Sequence, residues 1–166
     1  MEKSFEEKCS ALVRETADEL VGKHAFAACA ESLTGGMLAS AIVDVPGSSK
    51  WFTEGCVTYS NEAKIRALGV SPKLLSEYTA VSRPAAKAMA EGIILKTGAD
   101  VAVSTTGLAG PGPDELGREA GLVFIAGATR NGSVTRELKL SGDRTEIRRK
   151  TVLSALSLLA ELAKLV

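Results

Sequence analysis

The sequence is poor in the side chains that most often build metal sites and catalytic triads. It contains one histidine, His24, and its three cysteines, Cys9, Cys29 and Cys56, form no Cys-x-x-Cys pair. A metal site of histidine and cysteine is therefore not predicted, and the odd cysteine count fits reduced, mostly buried thiols. We interpret His24, after the first predicted helix, as a surface or capping residue, which disfavours a Ser-His-Asp triad.

Net charge and long apolar runs are also missing. Twenty basic residues balance twenty acidic ones, so the chain lacks the positive footprint of a general nucleic-acid binder. No apolar run has the length of a membrane span, and the charged N-terminal residues do not resemble a signal peptide. These features predict a cytoplasmic protein with no nucleic-acid or membrane partner. The length of 166 residues predicts one domain spanning 1–166.

What the sequence does contain is the composition and periodicity of an α/β protein. Apolar residues make up 45% of the chain and aromatic residues only 4%. Helical periodicity or capping signals predict helices over 3–22, 34–43, 60–67, 71 onward, 82–97 and from 143 to the end. Strands are predicted over 25–30, 52–59, 100–106, 122–130 and 134–140. The fold class predicted is a three-layer α/β/α arrangement with a central mixed β-sheet of about five or six strands.

Local signals set the expected boundaries of these elements. Thr34 is predicted to cap the second helix, and Ser60, Ser71 and Ser82 to cap three later ones. A capping box, Asp143-Arg144-Thr145-Glu146, opens the last helix. Asn131-Gly132 predicts a hairpin between the last two strands.

Polar residues cluster where three predicted strands end, over 32–36, 58–64 and 104–110. In open α/β sheets such ends converge on a ligand crevice, although no common nucleotide-binding glycine signature is present. A serine can be activated by a lysine that burial keeps neutral, and Ser32 and Lys64 are the candidates. A turn serine and a solvated lysine remain the simpler alternatives. The residues alone predict a small-molecule site without naming the reaction.

Six segments resemble the CinA C-terminal domain family, in that family's order along the chain. They are Ala30-Glu31-Ser32-Leu33-Thr34-Gly35-Gly36, Pro46-Gly47-Ser48-Ser49-Lys50-Trp51-Phe52, Val57-Thr58-Tyr59-Ser60-Asn61-Glu62-Ala63-Lys64, Ala80-Val81-Ser82, Thr106-Gly107-Leu108-Ala109-Gly110-Pro111 and Ser141-Gly142-Asp143-Arg144. The resemblance covers the chain from about residue 5 to 163. Stand-alone members of that family are nicotinamide-nucleotide amidohydrolases.

The resemblance implies hydrolysis of the carboxamide of nicotinamide mononucleotide to nicotinate mononucleotide and ammonia, in pyridine nucleotide salvage. It implies a Ser/Lys dyad in which Ser32 attacks the amide carbon and neutral Lys64 accepts its proton, with Tyr59 in the catalytic set. Backbone N–H groups near Gly35 or Gly107 would hold the oxyanion. No metal or cofactor is implied.

Further site positions follow from the same resemblance. The residues assigned to the substrate are Thr34, Gly35, Gly36, Ser48, Ser49, Asn61, Thr106, Gly107, Arg144 and Arg148. One arginine among Arg144, Arg148 and Arg149 is expected to meet the 5′-phosphate, because a guanidinium suits that group in charge and geometry. The resemblance also implies a homo-oligomer.

The sequence departs from the family pattern at two places. Leu33 stands where the family often has cysteine, which is a tolerable apolar exchange. Arg118-Glu119-Ala120-Gly121-Leu122 stands where relatives typically have Lys-Pro-Val-Gly-Thr, and a changed loop there affects substrate affinity or specificity if it covers the site. Two alternatives stay open: a non-catalytic nucleotide-binding or competence-associated regulatory module, and an amidase acting on a different amide.

Overall fold

The computed structural model describes residues 2–166, which form six α-helices, one short 3-10 helix and five strands. In chain order they are α1 (Phe5–Gly22), β1 (Ala27–Glu31), α2 (Met37–Val43), the 3-10 helix (Ser48–Lys50), β2 (Phe52–Val57), α3 (Asn61–Leu68), α4 (Pro72–Tyr78), α5 (Arg83–Thr97), β3 (Val101–Gly107), β4 (Leu122–Thr129), β5 (Gly132–Lys139) and α6 (Arg144–Ala163). Each predicted helix and strand is present, with boundaries shifted by a few residues.

The five strands form one mixed sheet in the order β2-β1-β3-β4-β5. Strands β2, β1 and β3 run parallel, whereas β4 and β5 continue the sheet antiparallel through a hairpin. Because β2, β1 and β3 share one direction, their carboxyl ends lie at the same edge of the sheet. The predicted mixed sheet is confirmed.

Helices cover both faces of this sheet. On one face α1, α2 and α6 pack over Cys29, Val103 and Ile125, and on the other α3, α4 and α5 pack over Ala28 and Ala102. All five residues of β1 are buried, as a strand covered on both faces requires. The small side chains of β1 let both helical layers approach it closely, and the three-layer prediction is confirmed.

Several local signals act as predicted. Ser60, Ser71 and Ser82 accept hydrogen bonds from the first-turn amides of α3, α4 and α5, and Gly98 ends α5 with a φ of 71°. The capping box that Asp143 and Glu146 form at the start of α6 is also present. His24 is exposed, as predicted, and it adopts the left-handed φ of 53° that ends the α1 turn.

Two boundaries differ from the prediction. Thr34 does not cap α2, which begins at Met37 with Gly36 in the capping position at a φ of 96°. The Thr34 hydroxyl instead lies 2.8 Å from the Thr105 hydroxyl, while the Glu31 carboxylate accepts the amides of Leu38 and Ala39 at 2.9 and 3.0 Å. A buried glutamate at the end of β1 therefore caps the helix.

The hairpin turn is displaced by one residue from its predicted place. Thr129 pairs with Gly132, so Arg130 and Asn131 form the turn and Gly132 opens β5 with a φ of 142°. The hairpin itself is confirmed.

The structure also bears on the predictions made from absent features. All three cysteines are free, with Cys9 and Cys29 buried and Cys56 half-buried. Within residues 2–166, no helix is both long enough and apolar enough to span a bilayer. The same residues contain no group of three or more His, Cys, Asp or Glu side chains placed to hold a metal ion.

Candidate active site

The carboxyl ends of β1, β2 and β3 bring the polar clusters together. The amide of Ser32 donates to the Thr105 carbonyl at 2.9 Å, and the amide of Thr58 donates to the Glu31 carbonyl at 2.8 Å. These two bonds extend the parallel pairing past the last residues of β1 and β2. Ser32 and Thr58 are thus fixed side by side at the edge where ligands bind in open α/β sheets.

Lys64 is the fourth residue of α3, and its side chain reaches this edge of the sheet. Its Nζ lies 3.0 Å from the Oγ of Ser32, 2.7 Å from the carbonyl oxygen of Thr58 and 3.5 Å from that of Tyr59. Only 1% of Lys64 and 8% of Ser32 is exposed to solvent. The candidate serine and lysine therefore touch each other in a nearly dry environment.

Burial changes the acid–base behaviour of Lys64. Desolvation of the ammonium lowers the pKa of Lys64 from 10.5 to about 8. Within the described part of the chain no carboxylate lies within ion-pair distance of its Nζ to offset this effect. A substantial fraction of Lys64 is therefore neutral at mildly alkaline pH.

The neighbours of Lys64 also fix the orientation of the neutral amine. A neutral amine has two N–H bonds and one lone pair, and main-chain carbonyls can only accept hydrogen bonds. When the N–H groups point to the carbonyls of Thr58 and Tyr59, the lone pair faces the hydroxyl of Ser32. This arrangement allows Lys64 to take the serine proton.

A cleft of about 270 Å³ opens above this pair. Six of the residues predicted for the site line it: Ser32, Tyr59, Lys64, Thr106, Gly107 and Arg144. Leu33, Ala80, Val81 and Ala109 complete the lining and make part of the wall apolar. The cleft combines a serine hydroxyl, a buried amine and an apolar surface, which are groups that a small-molecule site can use.

Tyr59 and Arg144 lie at the mouth of the cleft. Arg144 donates to the Tyr59 hydroxyl at 3.4 Å and to the carbonyl of Gly110, and 65% of Tyr59 is exposed. Among residues 2–166, no carboxylate pairs with Arg144. Its positive charge is thus available to an anionic ligand.

Other predicted residues shape the turn after Ser32 without lining the cleft. Thr34 is fully buried against Thr105, and Gly35 and Gly36 adopt positive φ values of 57° and 96°. The amide of Gly35 donates to the Ser32 carbonyl at 3.1 Å and is therefore occupied.

Asn61, also predicted for the site, is the exposed first residue of α3 and does not line the cleft.

Arg148 has a different place from the one predicted. Its guanidinium donates to the carbonyls of Leu33 and Thr34 at 2.9 and 3.0 Å, so it braces the turn that carries Ser32. Arg149 lies over the ring of Phe5, 5.2 Å from the ring centroid. Of the three arginines predicted for a phosphate, only Arg144 lines the cleft.

Ser48 and Ser49 are not brought to the cleft of their own chain. They belong to the 3-10 helix that precedes β2, whereas Thr58 follows β2. The six residues of β2 separate the two ends by about 20 Å. The parallel direction of β1 and β2 is the physical reason, because it places the starts of both strands at the sheet edge opposite the one that carries Ser32 and Thr58.

The chain matches the model of the CinA C-terminal domain over residues 9–163. It belongs to the CinA C-terminal domain family. Among solved CinA-superfamily structures, the competence damage-inducible protein ComA from Klebsiella pneumoniae is 35% identical with a TM-score of 0.89, covering 92% of this chain and 95% of that one. The competence/damage inducible protein CihA from Agrobacterium tumefaciens is 38% identical, also with a TM-score of 0.89, covering 93% and 95%.

Curated relatives in the CinA family are longer than this chain. A competence-damage inducible protein of Clostridium botulinum strain Langeland is 45% identical over 143 residues, which is 86% of this chain and 35% of the relative. One from Thermoanaerobacter pseudethanolicus is 49% identical over 131 residues, or 79% and 32%. The chain therefore spans about a third of the length of these relatives.

Proposed function

We propose that this CinA-family chain hydrolyses the carboxamide of nicotinamide mononucleotide to nicotinate mononucleotide and ammonia. The observation that carries the proposal is the contact set of Lys64: a buried amine with two carbonyl acceptors and the Ser32 hydroxyl as its neighbours. This set supports a serine nucleophile with a lysine base, which is a recurrent solution for acyl transfer.

In the first half-reaction, Ser32 Oγ bonds to the amide carbon as its proton passes to Lys64 Nζ. The tetrahedral intermediate then collapses, and its C–N bond breaks as the Lys64 ammonium protonates the leaving nitrogen. Ammonia departs and a nicotinoyl ester remains on Ser32. Lys64 is neutral again and ready for a second proton transfer.

In the second half-reaction, Lys64 takes a proton from a water molecule as the water oxygen bonds to the ester carbon. Collapse of this intermediate breaks the bond to Ser32, which regains its proton from Lys64. The amide of Leu33 makes no hydrogen bond within residues 2–166, and Leu33 follows the nucleophile directly and lines the cleft, so we assign this amide as an oxyanion donor. Bracing of its turn by Arg148 preorganises it.

For the nucleotide part of the substrate, Arg144 is the candidate phosphate ligand. It lies at the cleft mouth without a carboxylate partner, and a guanidinium can bind phosphate through two hydrogen bonds. Thr106 and Tyr59 also line the cleft, and their hydroxyls suit the ribose hydroxyls. Ser48, Ser49 and Asn61 have no role in this assignment.

Ammonia release from a panel of amides tests the proposal. With EDTA present, we expect turnover of nicotinamide mononucleotide, and a kcat/KM at least about tenfold lower for nicotinamide riboside, which lacks the phosphate that meets Arg144. Free nicotinamide and asparagine serve as controls for unselective amide cleavage. Turnover of a different amide alone would identify another amidase, and nucleotide binding without any ammonia would favour a binding module.

A further inference from the structure

Thr79 has an unusual backbone conformation beside the cleft. It follows α4 with φ 65° and ψ 169°, a region that is populated almost only by glycine. A β-branched residue keeps such a conformation only where its surroundings hold it there. The next two residues, Ala80 and Val81, form part of the apolar wall of the cleft.

Two side chains from distant parts of the sequence hold it in place, in addition to the neighbouring Ser82, whose hydroxyl donates to the Thr79 carbonyl at 3.0 Å. Arg118 donates to the Val81 carbonyl at 2.7 Å and to the Thr79 hydroxyl at 3.3 Å. Thr106, which itself lines the cleft, donates to the Ala80 carbonyl at 2.7 Å. The strained segment is thus hydrogen-bonded both to the loop between β3 and β4, which carries Arg118, and to the end of β3, which carries Thr106.

Asp114 in turn orients the guanidinium of Arg118. Its Nε donates to one Asp114 carboxylate oxygen at 2.8 Å, its Nη2 lies 2.7 Å from the same oxygen, and its amide donates to the other oxygen at 2.8 Å. The ion pair is mostly shielded, with 28% of the Arg118 side chain and 17% of the Asp114 side chain exposed. Arg118 is also the first residue of the stretch in which this sequence departs from the family pattern.

We propose that Arg118 is a positioning residue that fixes the Thr79–Val81 wall of the cleft and thereby sets its affinity for the amide-bearing ring. Arg118 does not line the cleft around Ser32 and Lys64, so it acts through Ala80 and Val81. The inference rests on the proposed function for the identity of the substrate. The mechanical part, that Arg118 orders residues 79–81, is independent of it.

The test is Arg118→Met, with Arg136→Met as the control. Arg136 forms a more exposed ion pair with Glu161 away from the cleft, so the control makes the same chemical change without altering the wall. For Arg118→Met we expect KM for nicotinamide mononucleotide to rise about tenfold, because a charge-assisted hydrogen bond that orders the wall is lost. We expect kcat to change by less than about twofold, since Ser32 and Lys64 are untouched.

Hydrogen exchange gives a readout that needs no turnover. In Arg118→Met, the amide of Thr79, which donates to the Leu75 carbonyl at 3.0 Å, should exchange at least about tenfold faster than in the wild type, while the amides of β1 are unchanged. Thr79→Gly added to Arg118→Met should recover most of the lost affinity, because glycine adopts this conformation without strain. Arg118→Lys keeps the positive charge but loses the branched guanidinium, so its KM should lie between those of the wild type and Arg118→Met.

Different outcomes contradict different claims. Unchanged exchange at the Thr79 amide in Arg118→Met would overturn the positioning role, whatever the activity. A fall in kcat with KM unchanged would overturn it as well, because it would point to a part in the chemistry. A wild type that releases no ammonia would remove the proposed function, and exchange at the Thr79 amide would still decide whether Arg118 orders the wall.

Discussion

Ser32→Ala and Lys64→Met should each lower kcat for ammonia release from nicotinamide mononucleotide by about a thousandfold or more, which corresponds to roughly 4 kcal/mol of activation free energy. Ser32→Ala removes the atom that bonds to the amide carbon. Lys64→Met keeps a side chain of similar length and removes the amine that lies 3.0 Å from that atom. Both variants break the same proton transfer, so we expect the double variant to lose little more than either single one.

Controls separate this loss from a loss of structure. Ser40→Ala, on an exposed position of α2, and Lys73→Met, on an exposed position of α4, make the same chemical changes outside the cleft. They should retain the wild-type rate. Ser32→Ala should still bind nicotinamide mononucleotide, measured by calorimetry, because its phosphate and ring contacts remain. Full activity in Ser32→Ala would exclude Ser32 as the nucleophile.

Lys64→Met should also stabilise the protein at neutral pH. Burial lowers the pKa of Lys64 from 10.5 to about 8, which corresponds to an unfavourable contribution of about 3 kcal/mol when both folded and unfolded forms are protonated. Replacing the lysine removes this contribution but leaves the Thr58 carbonyl without a donor, at a cost of about 1–2 kcal/mol. The expected net gain in the free energy of unfolding is about 1–2 kcal/mol at pH 7.

The pH dependence of the stabilisation distinguishes removal of a buried charge from better packing of the methionine side chain. Between pH 8 and 10.5 the unfolded chain holds the Lys64 proton more often than the folded chain, so wild-type stability rises with pH there. The advantage of Lys64→Met should therefore be full below pH 8 and should disappear as the pH approaches 10.5. Urea unfolding at pH 7 and pH 10, with Lys73→Met as the control, measures the difference in unfolding free energy between Lys64→Met and the wild type at each pH. An advantage that does not change with pH would contradict the account of the buried amine.

These opposite effects on activity and stability fit a functional site. A buried lysine without a carboxylate partner is a poor choice for stability, because a methionine of similar volume would fill the space without the desolvation cost. Its presence is explained if the neutral amine is needed for chemistry. The same reasoning applies to Thr79, whose strained conformation is maintained by Arg118 and Thr106.

The sequence could predict those features that depend on neighbouring residues or on strand ends. The caps at Ser60, Ser71, Ser82 and Asp143 are local, and each is present. The convergence of the polar clusters that contain Ser32 and Lys64 follows from parallel strands, because their carboxyl ends share one edge, whereas the pairing of these two residues as a dyad is implied only by the family resemblance. Both predictions depend on rules that need no knowledge of the full packing.

Features that depend on distant contacts could not be predicted in this way. Thr34 has the right residue type for a cap, but Thr105 is 71 positions away in sequence and takes its hydroxyl. Glu31, which caps α2 instead, reads as an ordinary strand residue. Arg144 and Arg148 lie one helical turn apart on α6. Arg148 bonds to the carbonyls of the turn after Ser32, whereas Arg144 lines the cleft, and this difference depends on where that turn lies in the folded protein.

The pH dependence of kcat/KM for nicotinamide mononucleotide, measured from pH 6.5 to 9.5, tests the central claim most directly. If neutral Lys64 activates Ser32, kcat/KM should rise about tenfold per pH unit at low pH and level off above a midpoint of about 8. Titration of the Lys64 side chain by NMR should give the same midpoint. A rate that does not change with pH across this range, or a Lys64 that still holds its proton at pH 9.5, would contradict the proposed serine–lysine mechanism.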